Sequence, residues 1–335
     1  MEYRNFGRTG VKVSPLCLGC MNFGGKTELE ESCSIIDRAL DEGINFVDTA
    51  NMYSRGKSEE FTGEALKRSG KRGGVVLATK VYARMADDDP NAMGNSRRHI
   101  IEQCEASLRR LQTDWIDLYQ IHRPSSDTPI DETLGALDDL IRAGKVRYAG
   151  TSTFAAWQCM ESLWVSERKG LNRFVCEQPP YNILDRRIER ELIPMGRTYG
   201  YALIPWSPLA GGILTGKYQS GGAAPEGSRY AGKVNQVQIR RLNEASLGTV
   251  DQLRPLAEAK GVSLSQFALS WTLQTEGITS SIIGPRTMEQ LEDNLKALGV
   301  GWTAEELAAV DKIVPPGEMI APFYEADFGP HSYRV

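Results

Sequence analysis

The sequence predicts an α/β protein folded as a (β/α)8 TIM barrel, with an N-terminal β-hairpin and a long loop after the seventh strand. Three observations predict it. Short apolar runs alternate with segments of helical period, eight such runs can be counted, and none of them carries a polar face. Alternation implies parallel pairing through right-handed crossovers, and strands without a polar face imply burial on both sides. Eight repeats suit a closed barrel better than an open sheet.

The first residues, YRNFGRTGVKVSPL, hold two short β-prone runs around Arg8-Thr9-Gly10. They read as a hairpin ahead of the barrel that plugs one end. VSPLCLGC is the first barrel strand. ESCSIIDRALDEG places apolar residues at 35, 36, 39 and 40 and stops on Gly43, which makes it a helix, and INFVDTA is the second strand. KSEEFTGEALKRSG is the next helix, and Gly74 to Val81 is a β-branched third strand. SRRHIIEQCEASLRRL opens on Ser96 as N-cap and sets Ile100, Cys104, Leu108 and Leu111 on one face, ahead of WIDLYQIH, the fourth strand.

The pattern continues with DETLGALDDLIRAGK then VRYAGTS, AAWQCMESLWVSERKG then FVCEQ, RRIERELIPMGRTYG then YALIPWSP, and a long helical region before TSSIIGP. Between Gly211 and Gly248 lies a glycine-rich polar insertion, GGILTGKYQSGGAAPEGSRYAGKVNQ, a candidate binding loop or lid. The tail after Pro315 is irregular and carries aromatics at 323, 324, 328 and 333. No linker of domain-separating composition appears, so residues 1–335 read as one barrel domain.

Composition bounds the function. The 335 residues are 41% hydrophobic and 24% charged, enough apolar material for a large core. A net charge of -4 offers no attractive field for nucleic acid or anionic lipid. The N-terminus lacks the apolar core of a signal peptide, and no run of about 18 apolar residues occurs, so a cytoplasmic chain without membrane contact is expected. The six cysteines fall mostly in apolar segments and read as reduced core residues. Cys17 and Cys20 form a CxxC, but on a strand their side chains point to opposite faces, and no metal site is expected.

Barrel enzymes place chemistry at the carboxyl ends of their strands. Strand two ends at Asp48, strand three at Lys80 and strand four at His122, while Tyr53 sits in the loop after strand two. Each alone has an ordinary reading: a turn carboxylate, a solvated lysine, a packed ring. Jointly they do not, because a cation and an imidazole directly after buried strands need partners. Of His99, His122 and His331, only His122 follows an apolar strand. A phenol with pKa of about 10 is a weak acid, an adjacent ammonium stabilises its phenolate, and a carboxylate holds the ammonium in place. Tyr53, Lys80 and Asp48 suit those roles, with His122 orienting a substrate oxygen. No side chain here is a hydride source, so the hydride must come from a cofactor.

At these residues the sequence resembles the aldo-keto reductases, NADPH-dependent barrel enzymes, from Tyr3 to about Val314. LGCMNFGG, FVDTANMYSRGKSEEFTGEAL, LATKV, SLRRLQTDWIDLYQIHRP, GKVRYAGTSTF, EQPPYNIL, IPWSPLAGGILTGKY and IIGPRTMEQLEDNL stand in order. The resemblance implies a catalytic tetrad of Asp48, Tyr53, Lys80 and His122 that reduces an aldehyde or ketone with NADPH. It implies that Ser152 and Gln178 hold the nicotinamide carboxamide and that Trp206 stacks on its ring. Ser207, Leu209, Gly211 and Lys217 then surround the pyrophosphate. Gly284 and Arg286 precede a helix, with Arg286 and Gln290 at the 2′-phosphate and Asn294 at the adenine. Met21 and Asp48 complete the expected cofactor contacts, and Met21, Tyr82, Arg123 and the aromatic tail border the carbonyl pocket. The partner implied is a small-molecule carbonyl substrate; the sequence assigns no oligomeric state.

Some positions depart from the family pattern: Thr153 where Asn is frequent, Asp293 where Glu is common, and Pro179-Pro180 after Gln178. Two rival readings compete with the reductase. GCMNFGGKTE nearly spells a phosphate-binding P-loop, but Cys20 stands where that loop needs glycine. The other rival is an NADPH-binding regulatory or sensor subunit with little turnover, such as those associated with ion channels.

Overall fold

A computed structural model describes residues 1–232 and 235–325. Lys233 and Val234 of the insertion, and Phe328, His331 and Tyr333 of the tail, lie outside the described residues. Among the described residues no helix is long and apolar enough to cross a membrane.

The N-terminal hairpin pairs β1 (Arg4–Asn5) with β2 (Lys12–Val13), antiparallel. The barrel strands follow as β3 (Leu16–Gly19), β4 (Phe46–Asp48), β5 (Val76–Val81), β6 (Ile116–Ile121), β7 (Val146–Ser152), β8 (Phe174–Gln178), β9 (Ala202–Leu203) and β10 (Ser281–Ile283). They form one parallel eight-stranded sheet in the order β10-β3-β4-β5-β6-β7-β8-β9. Thr279 N donates to the Leu203 carbonyl and Ile282 N to that of Pro205, both at 2.8 Å, so the curled sheet meets itself at β9 and β10. This is the expected (β/α)8 arrangement.

Two apolar layers follow from the two-residue period of the strands. One set of buried side chains packs between sheet and helices and includes Val47, Leu77, Tyr119 and Ile121. The other includes Phe46, Ala78, Leu118, Cys176, Ala202 and Ile282 and fills the barrel interior. Phe6 and Val13 of the hairpin belong to this inner set, with Phe6 edge-on to Phe46 at 5.6 Å, so the hairpin closes that end. Cys17 packs in the inner set and Cys20 in the outer one, which keeps the CxxC thiols apart.

Helices differ from expectation in three places. Residues 186–200 do not form one helix: a single turn at Arg187–Glu189 precedes a helix over Leu192–Tyr199. Pro194 explains the late start, since a residue without N–H fits most easily in a first turn. The region before β10 splits into helices Glu244–Ala259 and Leu264–Gln274, with Gly261 at φ 70° and Ser263 capping the second. The insertion, read as loop, includes the helix Gln236–Arg241, whose cap Asn235 exchanges side-chain bonds with Gln238.

GGKTE does not behave as a P-loop. The Gly25, Lys26 and Thr27 amides all donate to the Asn22 carbonyl, and the next helix starts only at Leu29. Those amides are spent on a closed turn.

Candidate active site

Inward positions two residues apart on neighbouring strands carry the polar groups. Asp48 ends β4, Lys80 lies on β5 and Gln120 on β6; His122 follows β6. Lys80 is fully buried. Its Nζ is paired with Asp48 Oδ1, donates to the Thr49 carbonyl at 2.9 Å and lies 3.2 Å from Tyr53 Oη. Burial alone lowers the lysine's proton affinity, but the fields of Asp48 and Tyr53 outweigh it and leave the pKa raised. Lys80 therefore stays an ammonium.

Asp48 is held in turn. Its Oδ2 accepts from Gln120 Nε2 and from Gln178 Nε2, each at 3.0 Å. A buried ion pair is weak evidence for stability but strong evidence for geometry when its spare lone pairs are filled this way. Gln120 is a site residue that sequence reasoning missed. Its signal was present, a polar residue at an inward position of an otherwise apolar strand.

Tyr53 opens a single helical turn, Tyr53–Gly56, in which Ser54 and Arg55 sit at φ 50° and 52°. Such backbone is uncommon without glycine and holds the loop in one shape. Behind it, Ser58 Oγ donates to the Cys20 carbonyl at 2.7 Å, tying the following helix to β3. The Tyr53 and His122 rings meet edge-on at 5.7 Å. His122 is buried, and burial, with Lys80 and Arg123, lowers its pKa well below the ordinary value, so the imidazole is neutral. Its Nδ1 has no hydrogen-bond partner among the described residues. The four residues read from sequence thus converge on one rim.

The expected cofactor residues lie on the same end, and several hold one another. Ser152 Oγ donates to the Gln178 carbonyl at 3.0 Å. Thr153 sits at φ 61°, a conformation that asparagine takes more easily, and its Oγ1 accepts from Arg123 at 3.1 Å. Trp206 is half-buried, with Nε1 unpartnered among the described residues. Ser207, Ala210, Gly211 and Gly212 all have positive φ, in a stretch that also contains Leu209. A Cβ on Gly211 would lie 2.8 Å from Tyr230 Oη, so this turn requires glycine.

Lys217 is exposed in part and its pKa is lowered by burial, then by Arg286, Arg229 and Lys26. Those four cations gather where phosphates are expected, and their mutual repulsion is what an anion would relieve. Arg286 donates to the Gly227 carbonyl at 2.7 Å, across to the insertion. Gln290 Oε1 accepts from Arg286 N at 2.9 Å, so in this structure it braces the Arg286 backbone. Gly284 precedes them, its carbonyl accepting from Asn22. Asn294 is buried on the helix Met288–Lys296, and Met21 is largely exposed. A left-handed turn, a cation cluster and an unpartnered indole N–H together fit a phosphate-bearing dinucleotide.

Comparison with known proteins agrees with this architecture. The model of the Aldo/keto reductase family matches residues 15–315. The chain is 41% identical over 326 residues to an oxidoreductase of Bacillus subtilis (strain 168), YrpG, covering 95% of this chain and 97% of that one. It is 38% identical to a probable voltage-gated potassium channel subunit beta of Arabidopsis thaliana, covering 90% and 92%. Identity to the versiconal hemiacetal acetate reductase of Aspergillus parasiticus is 36%, covering 95% of this chain and all of that one, 100%. A match of this extent, over the strands that carry Asp48, Lys80 and His122, places the chain in the aldo/keto reductase family.

Proposed function

We propose that this protein reduces an aldehyde or ketone to an alcohol with NADPH, and that Tyr53 donates the proton. The observation that carries the reading is the placement of Tyr53 Oη 3.2 Å from a buried ammonium that is itself paired with Asp48, beside a neutral imidazole. Members of the family reduce carbonyls with NAD(P)H, which supplies the hydride when bound.

The side chains divide the remaining work. His122, being neutral, donates one N–H to the carbonyl oxygen and fixes its direction. Tyr53 gives its proton to that oxygen as negative charge develops there. Lys80 stabilises the phenolate left behind, acting at short range in a site of low dielectric. Asp48 keeps the ammonium in place, and Gln120 and Gln178 keep Asp48 in place. Trp206 offers a flat apolar face to the nicotinamide. Arg286 favours the 2′-phosphorylated cofactor, because a guanidinium matches phosphate geometry, and Lys217 supplies countercharge to the pyrophosphate.

The likeness to proteins named potassium channel subunits beta supports a second reading, a cofactor-binding regulatory subunit with little turnover. Mixing the protein with NADPH and a varied aldehyde panel separates the two. An enzyme oxidises the cofactor in proportion to aldehyde; a sensor binds it and leaves it reduced.

A further inference from the structure

The loop that carries Tyr53 is braced from behind the rim. After Tyr53 the backbone runs through three consecutive residues at positive φ, Ser54 at 50°, Arg55 at 52° and Gly56 at 95°. Left-handed backbone costs a residue other than glycine roughly 1–2 kcal/mol. Ser54 and Arg55 hold it because neighbouring groups over-determine the turn.

The neighbours come from the helix Arg97–Leu111. Gln103 and Arg110 stand seven residues apart on it, two turns, and so share one face. Gln103 supports the entry to the loop, where its Oε1 accepts from the Nδ2 of buried Asn51 at 3.1 Å. The Asn51 amide in turn donates to the Lys80 carbonyl at 3.2 Å. Arg110 supports the exit. A Cβ on Gly56 would lie 2.7 Å from Arg110 Cδ, so the arginine stem lies directly against the end of the turn. Beyond the stem, Arg110 Nε donates to Glu59 Oε2 at 2.6 Å, and Glu59 is fully buried. The other oxygen, Glu59 Oε1, accepts from Thr79 Oγ1 at 2.5 Å, on the residue before Lys80. One brace therefore reaches both partners: its amide and guanidinium hold the two ends of the Tyr53 loop, and its carboxylate pins the strand that presents Lys80.

We propose that Gln103, Arg110 and Glu59 are positioning residues of the proton-transfer step, which set the 3.2 Å separation of Tyr53 Oη and Lys80 Nζ. The inference rests on the carbonyl-reductase reading and adds to it the groups that aim the proton donor. None of the three bonds to Tyr53 or Lys80 through its side chain; they act through Asn51, Gly56 and Thr79. The effect is large for a small displacement, because a misplacement of about 1 Å at a reacting group costs on the order of 100-fold in rate.

The test measures steady-state reduction of an aldehyde by Gln103→Leu, Arg110→Met and Arg110→Lys, each made in wild type and again in Tyr53→Phe. In wild type, Gln103→Leu and Arg110→Met should lower kcat about tenfold, with KM and NADPH affinity within about twofold, and Arg110→Lys should recover part of the loss. In Tyr53→Phe the same substitutions should change the residual rate by less than about twofold, since the hydroxyl they aim is already gone. Unchanged kcat in Gln103→Leu and Arg110→Met overturns the proposal. So does an equal fold loss in both backgrounds, which would make the helix a general support of the barrel. Should Arg110→Met fail to fold, having left Glu59 buried without its cation, Gln103→Leu decides alone, because it strands no charge. Indifferent variants of a working reductase sink only the positioning role. A wild type that reduces no aldehyde sinks the reductase reading itself, and this inference with it.

Discussion

Lys80 Nζ is paired with the Asp48 carboxylate and at the same time lies 3.2 Å from Tyr53 Oη. With the Thr49 carbonyl, this uses all three ammonium protons. Lys80→Met should therefore do two things. It removes the charge that supports the phenolate, lowering turnover by about 100-fold or more. It also leaves Asp48 buried with only two amides, destabilising the fold by roughly 3–5 kcal/mol. Denaturant unfolding beside steady-state rates checks both, and a variant of wild-type stability would contradict the picture of a coupled pair.

Glu177 supplies a pH signature. Burial raises its pKa from 4.5 to about 8, so between those values the folded chain holds a proton that the unfolded chain releases. Stability from this group is full below about 4.5 and falls as pH rises toward 8, by about 1.4 kcal/mol for each pH unit at most. Glu177→Gln keeps an acceptor for the Phe154 amide, now 3.1 Å from Glu177 Oε1, and should flatten that decline. Unfolding free energies measured from about pH 5 to about pH 9 on both proteins decide it; parallel slopes would count against a buried neutral acid.

Gly150 faces the barrel interior, where an added Cβ would collide with Cys176 Sγ and lie 3.2 Å from Leu118 and 3.3 Å from Gln120. Gly150→Ala should cost about 1–3 kcal/mol and lower turnover, because shifting Gln120 loosens Asp48. Adding Cys176→Ala should recover part of both losses. Full stability in the single variant would show that the interior has room for an extra methyl group.

Arg286 gives the cofactor test. Arg286→Ala should weaken NADPH binding about 10- to 100-fold while changing NADH binding little, the loss expected for one charge-assisted contact. Fluorescence titration with each cofactor measures it. Equal weakening of both would remove Arg286 from the 2′-phosphate.

Much of this site is legible in the sequence because buried strands advertise their exceptions. Asp48, Lys80 and His122 interrupt apolar runs at strand ends, where a charged group requires a partner. Gln120 and Glu177 interrupt the same kind of run, in LYQIH and FVCEQ, yet a neutral amide and an acid behind the rim suggest no chemistry until their partners are seen. The turn around the expected phosphate site is less legible. Ser207 and Ala210 adopt positive φ without being glycine, so their backbone leaves no mark in composition. Residues 186–200 read as one helix because amphipathic spacing continues past the point where Pro194 sets the first turn. The sequence places Arg123 at the pocket edge, but its anchoring to His122 and Thr153 depends on the approach of β7, which no local pattern encodes.

The proposed chemistry turns on Tyr53 as proton donor. Tyr53→Phe keeps the ring against His122 and removes only the hydroxyl that Lys80 approaches. Titrating NADPH into this variant and measuring its oxidation by an aldehyde that wild type reduces is the most direct test. The prediction is NADPH affinity within about twofold of wild type and carbonyl reduction lowered by about 100-fold or more. Turnover equal to wild type would contradict it.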